Sequence, residues 1–145
     1  MNPESDVSAE LSDELAGRGL RATRQRIAVL DAVRQASNHP TAGEIHRILL
    51  ASQPQLSLKT VYQALESLRS VGLANCVTEG GEPYRYEART SPHYHGRCRV
   101  CGVLFDLPAR LDARIRGETP IPERFEVERI HVTLVGRCAR CREDF

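Results

Sequence analysis

Tryptophan is absent from this 145-residue sequence, aromatic residues make up 5% of it, and there is one methionine. A large aromatic core is therefore not available. Lysine is almost missing too: Lys59 stands alone among 20 basic residues. No apolar run approaches the roughly 18 residues that a membrane span needs, so no membrane partner is expected. The first 14 residues are acidic and polar and lack a signal-peptide core, which points to the cytoplasm. Charge excess is missing as well, with a formal net charge of +1. Composition alone thus does not announce a nucleic-acid binder.

The length suits one compact domain or two small ones, and small domains often add a metal or an oligomer interface to a limited core. Charge distribution says more than the total. Arg18, Arg21, Arg24 and Arg26 fall in a stretch without an acid, a local basic patch.

Along the chain, residues 1–7 read as a disordered tail and 8–16 as a short helix with Leu11 and Leu15 on one face, ended by Gly17 and Gly19. Thr23 then caps a helix in which Ile27, Leu30 and Val33 recur at helical spacing. After Asn38-His39-Pro40, Thr41-Ala42-Gly43-Glu44 is a capping-box pattern opening a helix with Ile45, Ile48 and Leu49. Ser57 caps a third helix to about Ser70, with Leu58, Val61, Leu65 and Leu68 facing inward and Gly72 as its stop. Residues 73–77 and 84–87 read as strands, with Glu79-Gly80-Gly81-Glu82 as the hairpin turn between them. Helices followed by such a hairpin make a winged helix-turn-helix, whose last helix before the wing enters the DNA major groove. Ser57, Lys59, Thr60, Tyr62 and Gln63 on that helix, with Arg21 and Arg24 of the basic patch, suit phosphate and base-edge contacts. The plain alternative is a helical domain whose polar face is only solvated.

The remainder alternates differently. Segments 96–101 and 103–107 suggest strands, 110–116 a short helix and 125–135 a longer strand. The predicted fold class is α+β: an N-terminal winged-helix domain over 1–83 and a small α/β domain over 84–145, hinged near residues 83–87.

Two donor sets meet around His93-Tyr94-His95-Gly96-Arg97-Cys98-Arg99-Val100-Cys101. Cys98, Cys101, Cys138 and Cys141 form two Cys-x-x-Cys pairs, and a two-residue gap lets both thiolates of a pair reach one tetrahedral zinc. Four thiolates close the shell, so the zinc is structural. Two disulfides or a redox switch are the alternatives, and a reducing cytoplasm favours metal. Cys76 lies outside both pairs and reads as core. The second set is nitrogen and oxygen only: His93, His95, Glu87 and Asp106, with His39 as a distant candidate. His93 and His95 would project from one face of a strand, about 6–7 Å apart. Three imidazoles and two carboxylates suit Fe2+, Mn2+ or Zn2+.

Gly19-Leu20-Arg21-Ala22-Thr23-Arg24-Gln25-Arg26, His39-Pro40-Thr41-Ala42, Thr60-Val61-Tyr62, Gly72-Leu73, His93-Tyr94-His95 and the two Cys pairs together resemble the ferric uptake regulator (Fur) family. The resemblance implies a homodimeric winged-helix repressor of double-stranded operator DNA, with a C-terminal α/β dimerisation domain and a four-cysteine zinc site. It also implies a regulatory site between the domains, mapping to His39, Glu87, His93, His95 and Asp106 and loaded with Fe2+ or Mn2+. His39-Pro40-Thr41-Ala42 and Ser91-Pro92-His93-Tyr94-His95 are most similar to the peroxide-responsive branch, in which a ligand histidine is oxidised. That branch typically carries Asp where this chain has Glu87. Glu is the choice of iron- or manganese-uptake regulators without peroxide sensing, the alternative reading. Zinc-uptake regulators often place Cys there. A metalloenzyme with an open 2-His-1-carboxylate site is the competing class, but five potential ligands would saturate the metal, so the chain is not expected to be an enzyme. A zinc-ribbon adaptor binding only protein would leave the arginine patch and the Lys59–Tyr62 helix without a use.

Overall fold

A computed structural model describes residues 3–77, 83–89, 91–110, 112–128 and 130–142. The chain divides into two compact units, Met1–Thr90 and Ser91–Phe145.

The first unit begins with α1, Pro3–Gly17. The expected tail over 1–7 is therefore largely helical, and the helix starts five residues before Ser8. Leu11 and Leu15, four residues apart on one face, are buried with the rest of the core, so packing supplies what an isolated helix of this length lacks. Arg34 of α2 also grips Glu14 with both guanidinium nitrogens, at 2.6 and 2.7 Å. α2 spans Arg24–Gln35, with Thr23 accepting from the Arg26 N–H as N-cap. α3 spans Ala42–Leu49 behind a complete Thr41/Glu44 capping box. α4 spans Leu58–Ser70, with the Ser57 side chain accepting from the Thr60 N–H.

Val29, Leu30, Val33, Ile45, Leu49, Val61, Leu65, Leu68 and Leu73 join Leu11 and Leu15 in one hydrophobic cluster. One position expected to face inward does not. Leu58 is 40% exposed, while Leu56, just ahead of the cap, takes the buried place. Leu56 and Val61 are thus both buried at the two positions of a hydrophobic staple. Ile48 is exposed because the inward stripe of α3 runs through Ala42, Ile45 and Leu49. At the end of α4, Gly72 takes φ 74°, and the Leu73 N–H reaches back to the Leu68 carbonyl at 2.9 Å, a Schellman closure that favours glycine.

β1 (Asn75–Val77) and β2 (Arg85–Glu87) pair antiparallel, with Asn75 opposite Glu87 and Cys76 opposite Tyr86. They are shorter than the expected 73–77 and 84–87, and the turn expected at 79–82 lies outside the described residues. Because β2 pairs with β1, the division of the chain falls after residue 90 rather than after residue 83.

The second unit is built on a three-stranded sheet in the order β4-β3-β5. β3 spans His93–Cys98, β4 Leu104–Pro108 and β5 Thr133–Gly136. β3 is central, antiparallel to β4 and parallel to β5. The strand expected over 125–135 forms only from Thr133. Alternation identifies two faces, whereas a strand also needs a partner, and β3 offers one only from His95 onward. α5 spans Asp112–Glu118, shifted from the expected 110–116, and α6 (Ala139–Arg142) carries the last cysteine.

If α1 is part of the core, Leu15→Ala should lower unfolding free energy by about 2–5 kcal/mol, whereas Ile48→Ala should stay within about 0.5 kcal/mol. Urea denaturation of both variants checks this. A Leu15→Ala protein as stable as the parent would show that α1 does not hold the first unit together.

Candidate functional site

In the first unit the residues proposed to read DNA lie on and before α4. Lys59, Tyr62 and Gln63 are exposed on its surface, and Thr60 is half-buried, its hydroxyl 2.8 Å from that of the cap Ser57. Arg21 is exposed. Arg24 is exposed too, but its guanidinium donates to the Ser52 carbonyl at 3.3 Å, so it braces the turn between α3 and α4. Arg26 donates to the Arg21 carbonyl at 2.9 Å and holds that loop.

The same unit brings together two residues 48 positions apart. His39 and Glu87 are both buried, with His39 Nε2 3.3 Å from Glu87 Oε2. Local chemistry explains the meeting. His39 has φ 50°, a left-handed conformation that is uncommon outside glycine, though less so for His than for most residues. The neighbours that keep it there are on β2. The Arg85 guanidinium donates to the His39 carbonyl at 3.0 Å, the Tyr86 N–H donates to the Pro40 carbonyl at 2.9 Å, and Thr41 forms a β-bridge with Arg85. Glu87 follows on the same strand. The segment Asn38-His39-Pro40, between α2 and α3, is thus an added edge to the wing.

In the second unit, His93 and His95 project from one face of β3. His95 stands directly opposite Asp106 of β4. His93 Nε2 and His95 Nε2 are 3.2 Å apart, closer than strand spacing alone predicts, and Asp106 Oδ1 is 3.8 Å from the first and 3.7 Å from the second. The rings meet edge to face at 74°. His93 Nδ1 lies 2.7 Å from the Ser91 carbonyl. A carbonyl only accepts, so Nδ1 is the donor in that contact, which leaves Nε2 as the nitrogen that could meet an ion. Two nitrogens bound about 2.1 Å from one ion would sit about 3.0–3.4 Å apart. The donor set therefore fits a divalent cation.

The four paired cysteines converge as expected. One sulfur from each of Cys98, Cys101, Cys138 and Cys141 lies within 4.8 Å of the others. Cys101 and Cys138 sulfurs are 3.7 Å apart, and all five cysteines of the chain are free thiols. That spacing is too long for a disulfide and close to the about 3.8 Å edge of a zinc tetrathiolate. The fold prepares the thiolates. Hydrogen bonds from the backbone N–H of Cys101 and then Cys138 pull the Cys98 thiol down to about 5, the second of them 3.3 Å long. The Val103 N–H, first, lowers Cys101. With several thiols sharing few protons, hydrogen bonding to Cys138 and burial push Cys141 up to about 12. A cation would relieve that crowding by replacing the protons. The residues fit zinc. Cys76 sits apart on β1, half-buried, and burial pushes its thiol up, in keeping with a core thiol.

A helical triad with a short antiparallel wing, joined to a small sheet unit with a thiol cluster, defines the class of winged-helix proteins with a metal-binding companion domain. Residues 17–135 match the profile of the ferric uptake regulator family, and the chain belongs to that family. It is 32% identical over 139 residues to the peroxide operon regulator of Bacillus subtilis, covering 91% of each chain. Against the peroxide-responsive repressor PerR of Staphylococcus epidermidis it is 28% identical over 141 residues, covering 95% of this chain and 94% of the relative. In structure it is similar to the ferric uptake regulator of Helicobacter pylori, with a TM-score of 0.76 at 19% identity, over 98% of this chain and 95% of that one.

Sequence reasoning missed two structural aids. One is Arg85, whose position two residues before Glu87 carries no signal of its contact with His39. The other is Gly96. It stands opposite Phe105 in the β3–β4 register, and the Phe105 ring lies over it, against the space a Cβ would fill. Its neighbours in the register are His95 and Asp106, which face the other side of the sheet. Gly96→Ala should force the ring away and cost about 1–3 kcal/mol. The cost should shrink in a Phe105→Ala background, as a double-mutant cycle by urea denaturation measures. Equal costs in both backgrounds would show that the ring does not depend on the glycine.

Proposed function

We propose that this protein is a metal-dependent transcriptional repressor. In this reading Cys98, Cys101, Cys138 and Cys141 hold a structural zinc, and His39, Glu87, His93, His95 and Asp106 are the ligands of a regulatory Fe2+ or Mn2+. Lys59 and Tyr62, with Arg21, Ser57, Thr60 and Gln63, meet operator DNA, and Arg24 contributes beside its bond to Ser52. The observation that carries the reading is the segregation of donors: sulfur gathers in one cluster, while imidazole and carboxylate gather elsewhere, in a chain that also has an exposed helix-turn-helix face. Thiolates suit a permanently held zinc, and oxygen-rich sets suit a harder, exchangeable ion.

Each residue has a separable task. Two carboxylates offset the charge of a dication, and the imidazoles supply neutral donors. The bond from His93 Nδ1 to the Ser91 carbonyl orients that ring. An ion with donors in both units would favour one arrangement of the two, and it can shift DNA binding only by the difference in its affinity for the competing arrangements. A second copy of the chain is the natural cover for Val103, Phe105, Phe125, Leu134 and Val135, all exposed in the second unit. Among the described residues no helix is long and apolar enough to cross a membrane, and an operator-binding role belongs in the cytoplasm.

Resemblance to peroxide-responsive relatives supports peroxide as the signal, with bound Fe2+ supplying the redox chemistry. Peroxide would give one oxygen atom to the imidazole of His39 or His93 and leave as water, weakening the ligand set. Glu87 supports the second reading, an iron- or manganese-uptake regulator.

Gel shifts at several salt concentrations, with a duplex selected in vitro against the Mn2+-loaded protein, test the repressor reading. Mn2+ should raise affinity, and His93→Ala should lose that gain while keeping zinc and dimer. Lys59→Ala should weaken all duplexes alike and lower the salt slope by about one. A chain that binds DNA identically with and without the ion is not a metal-dependent repressor. Cys98→Ser should lose zinc and unfold the second unit, seen by metal analysis and circular dichroism; a folded dimer without zinc would remove the structural role. Peroxide should release the Fe2+ form from DNA with one added oxygen found by mass spectrometry, and spare the Mn2+ form. Retention of DNA by the Fe2+ form, with no histidine oxidised, selects the uptake regulator.

A further inference from the structure

We infer that Arg85 is a positioning residue that holds His39 against Glu87 and ties this pair to the helix-turn-helix. Three observations in the first unit carry it. The Arg85 Nη1 donates to the His39 carbonyl at 3.0 Å, and His39 is the one described non-glycine residue at positive φ. The same nitrogen lies 3.7 Å from Glu44 Oε2. That carboxylate oxygen also accepts from the Thr41 N–H at 2.9 Å, closing the cap of α3. One guanidinium therefore touches the backbone of a proposed ligand and the N-terminal cap of the helix that precedes α4. Its own backbone sits on β2, two residues before Glu87, and bridges Thr41.

The arrangement works as a lever with few free joints. The left-handed backbone at His39 is sparsely populated and persists only where its surroundings hold it. Of the contacts that hold it, the Tyr86–Pro40 bond is backbone and independent of side-chain identity, whereas the Arg85 bond is made by a side chain alone. An ion pulling on the His39 ring would load that bond. Through Glu44 and Thr41 the load passes to the start of α3. Both partners remain about a third exposed, so solvent screens the Arg85–Glu44 pair, and at 3.7 Å it is weaker than the bond to His39. The carbonyl bond is thus the positioning contact and the carboxylate the transmitting one.

The inference rests on His39 and Glu87 being ligands, and the test separates the two. Wild type, Arg85→Met, Arg85→Lys and Glu44→Gln are titrated with Mn2+ by calorimetry, and their affinity for the selected duplex is measured with and without Mn2+. Arg85→Met keeps the aliphatic length and loses the donors, so Mn2+ affinity should fall about 10–100-fold, the usual cost of losing a group that orients a ligand. Arg85→Lys should recover part of it through one N–H. Glu44→Gln still accepts from the Thr41 N–H. It should keep Mn2+ affinity within about threefold while the ratio of DNA affinities with and without Mn2+ shrinks, which a purely structural defect would not do, because coupling is read as a ratio. Thermal melts identify any variant that fails to fold. If Arg85→Met does not fold, Arg85→Lys and Glu44→Gln decide. Wild-type Mn2+ affinity and an unchanged ratio in the folded Arg85 variants overturn the inference. Should His39→Ala itself leave Mn2+ binding intact, the ligand assignment fails and this inference falls with it.

Discussion

The two-residue period of one strand governs the second unit. Along β3, His93 and His95 take one face and Tyr94, Gly96 and Cys98 the other. The first face meets Asp106 and presents nitrogen and oxygen. The second is packed by the Phe105 ring over Gly96 and ends in the first zinc-type cysteine. Neither set can slip without the other, because a one-residue shift would exchange the faces. The end of the strand is fixed by its own turn, with the Gly102 N–H on the Cys98 carbonyl at 2.9 Å, and by the Arg99 N–H on the Gly136 carbonyl at 2.8 Å. The second of these brings the chain after β5 alongside, so that Cys138 and Cys141 arrive where Cys98 and Cys101 already are. In a unit with few fully buried apolar side chains, a four-thiolate zinc would supply much of the cohesion that the sheet lacks.

The first unit solves the opposite problem. Its hydrophobic cluster is ample, with side chains from all four helices and the wing, so its polar pair can be held by the fold. Burying a carboxylate beside an imidazole is costly unless each has a polar partner. His39 and Glu87 provide that for one another at 3.3 Å. The strained turn at His39 is tolerated because β2, the second strand of the wing, braces it from three consecutive positions. Stability in this unit comes from packing, and that packing supports a local geometry which packing alone would not select.

Much of this was legible from residue patterns. The three caps at Thr23, Thr41 and Ser57 form as their side-chain chemistry dictates, since each needs only neighbours within three residues. The Cys pairs converge because both ligands of a pair are local and the metal chemistry demands four. What could not be read depends on tertiary partners. The extent of α1 is one such case: its first two turns carry no strong pattern, and the helix is anchored through Leu11, Leu15 and the Arg34–Glu14 pair. The short β5 is another, since alternation over 125–135 extends beyond Thr133–Gly136, the stretch that pairs with β3. The exposed Leu58 fits a helical stripe by spacing but lies at the helix end, where Leu56 fills the space instead. Residue type places Glu87 among the candidate ligands with His39 as a distant one, and only the family resemblance implies that the two share a site. Periodicity does not relate residues 48 apart, and the β-bridge that brings them together has no signature in either segment.

The two donor chemistries also bear on selectivity. Affinity for divalent ions rises toward copper and zinc at almost any nitrogen and oxygen site, so imidazoles and carboxylates alone do not choose iron or manganese. A four-thiolate shell in the same chain does not remove that difficulty, but it separates it: zinc held there would contribute to folding and would not need to be exchanged. In the proposed reading, the remaining set is then left to report on whichever ion is available. Its length is a finer control. Glu87 reaches one methylene further than an aspartate at the same strand position. From a fixed backbone such as β2, the longer arm would place its oxygen elsewhere than an aspartate would. On the proposed ligand set, this one carboxylate is the position at which the two readings, a sensor of metal supply and a sensor of peroxide, differ.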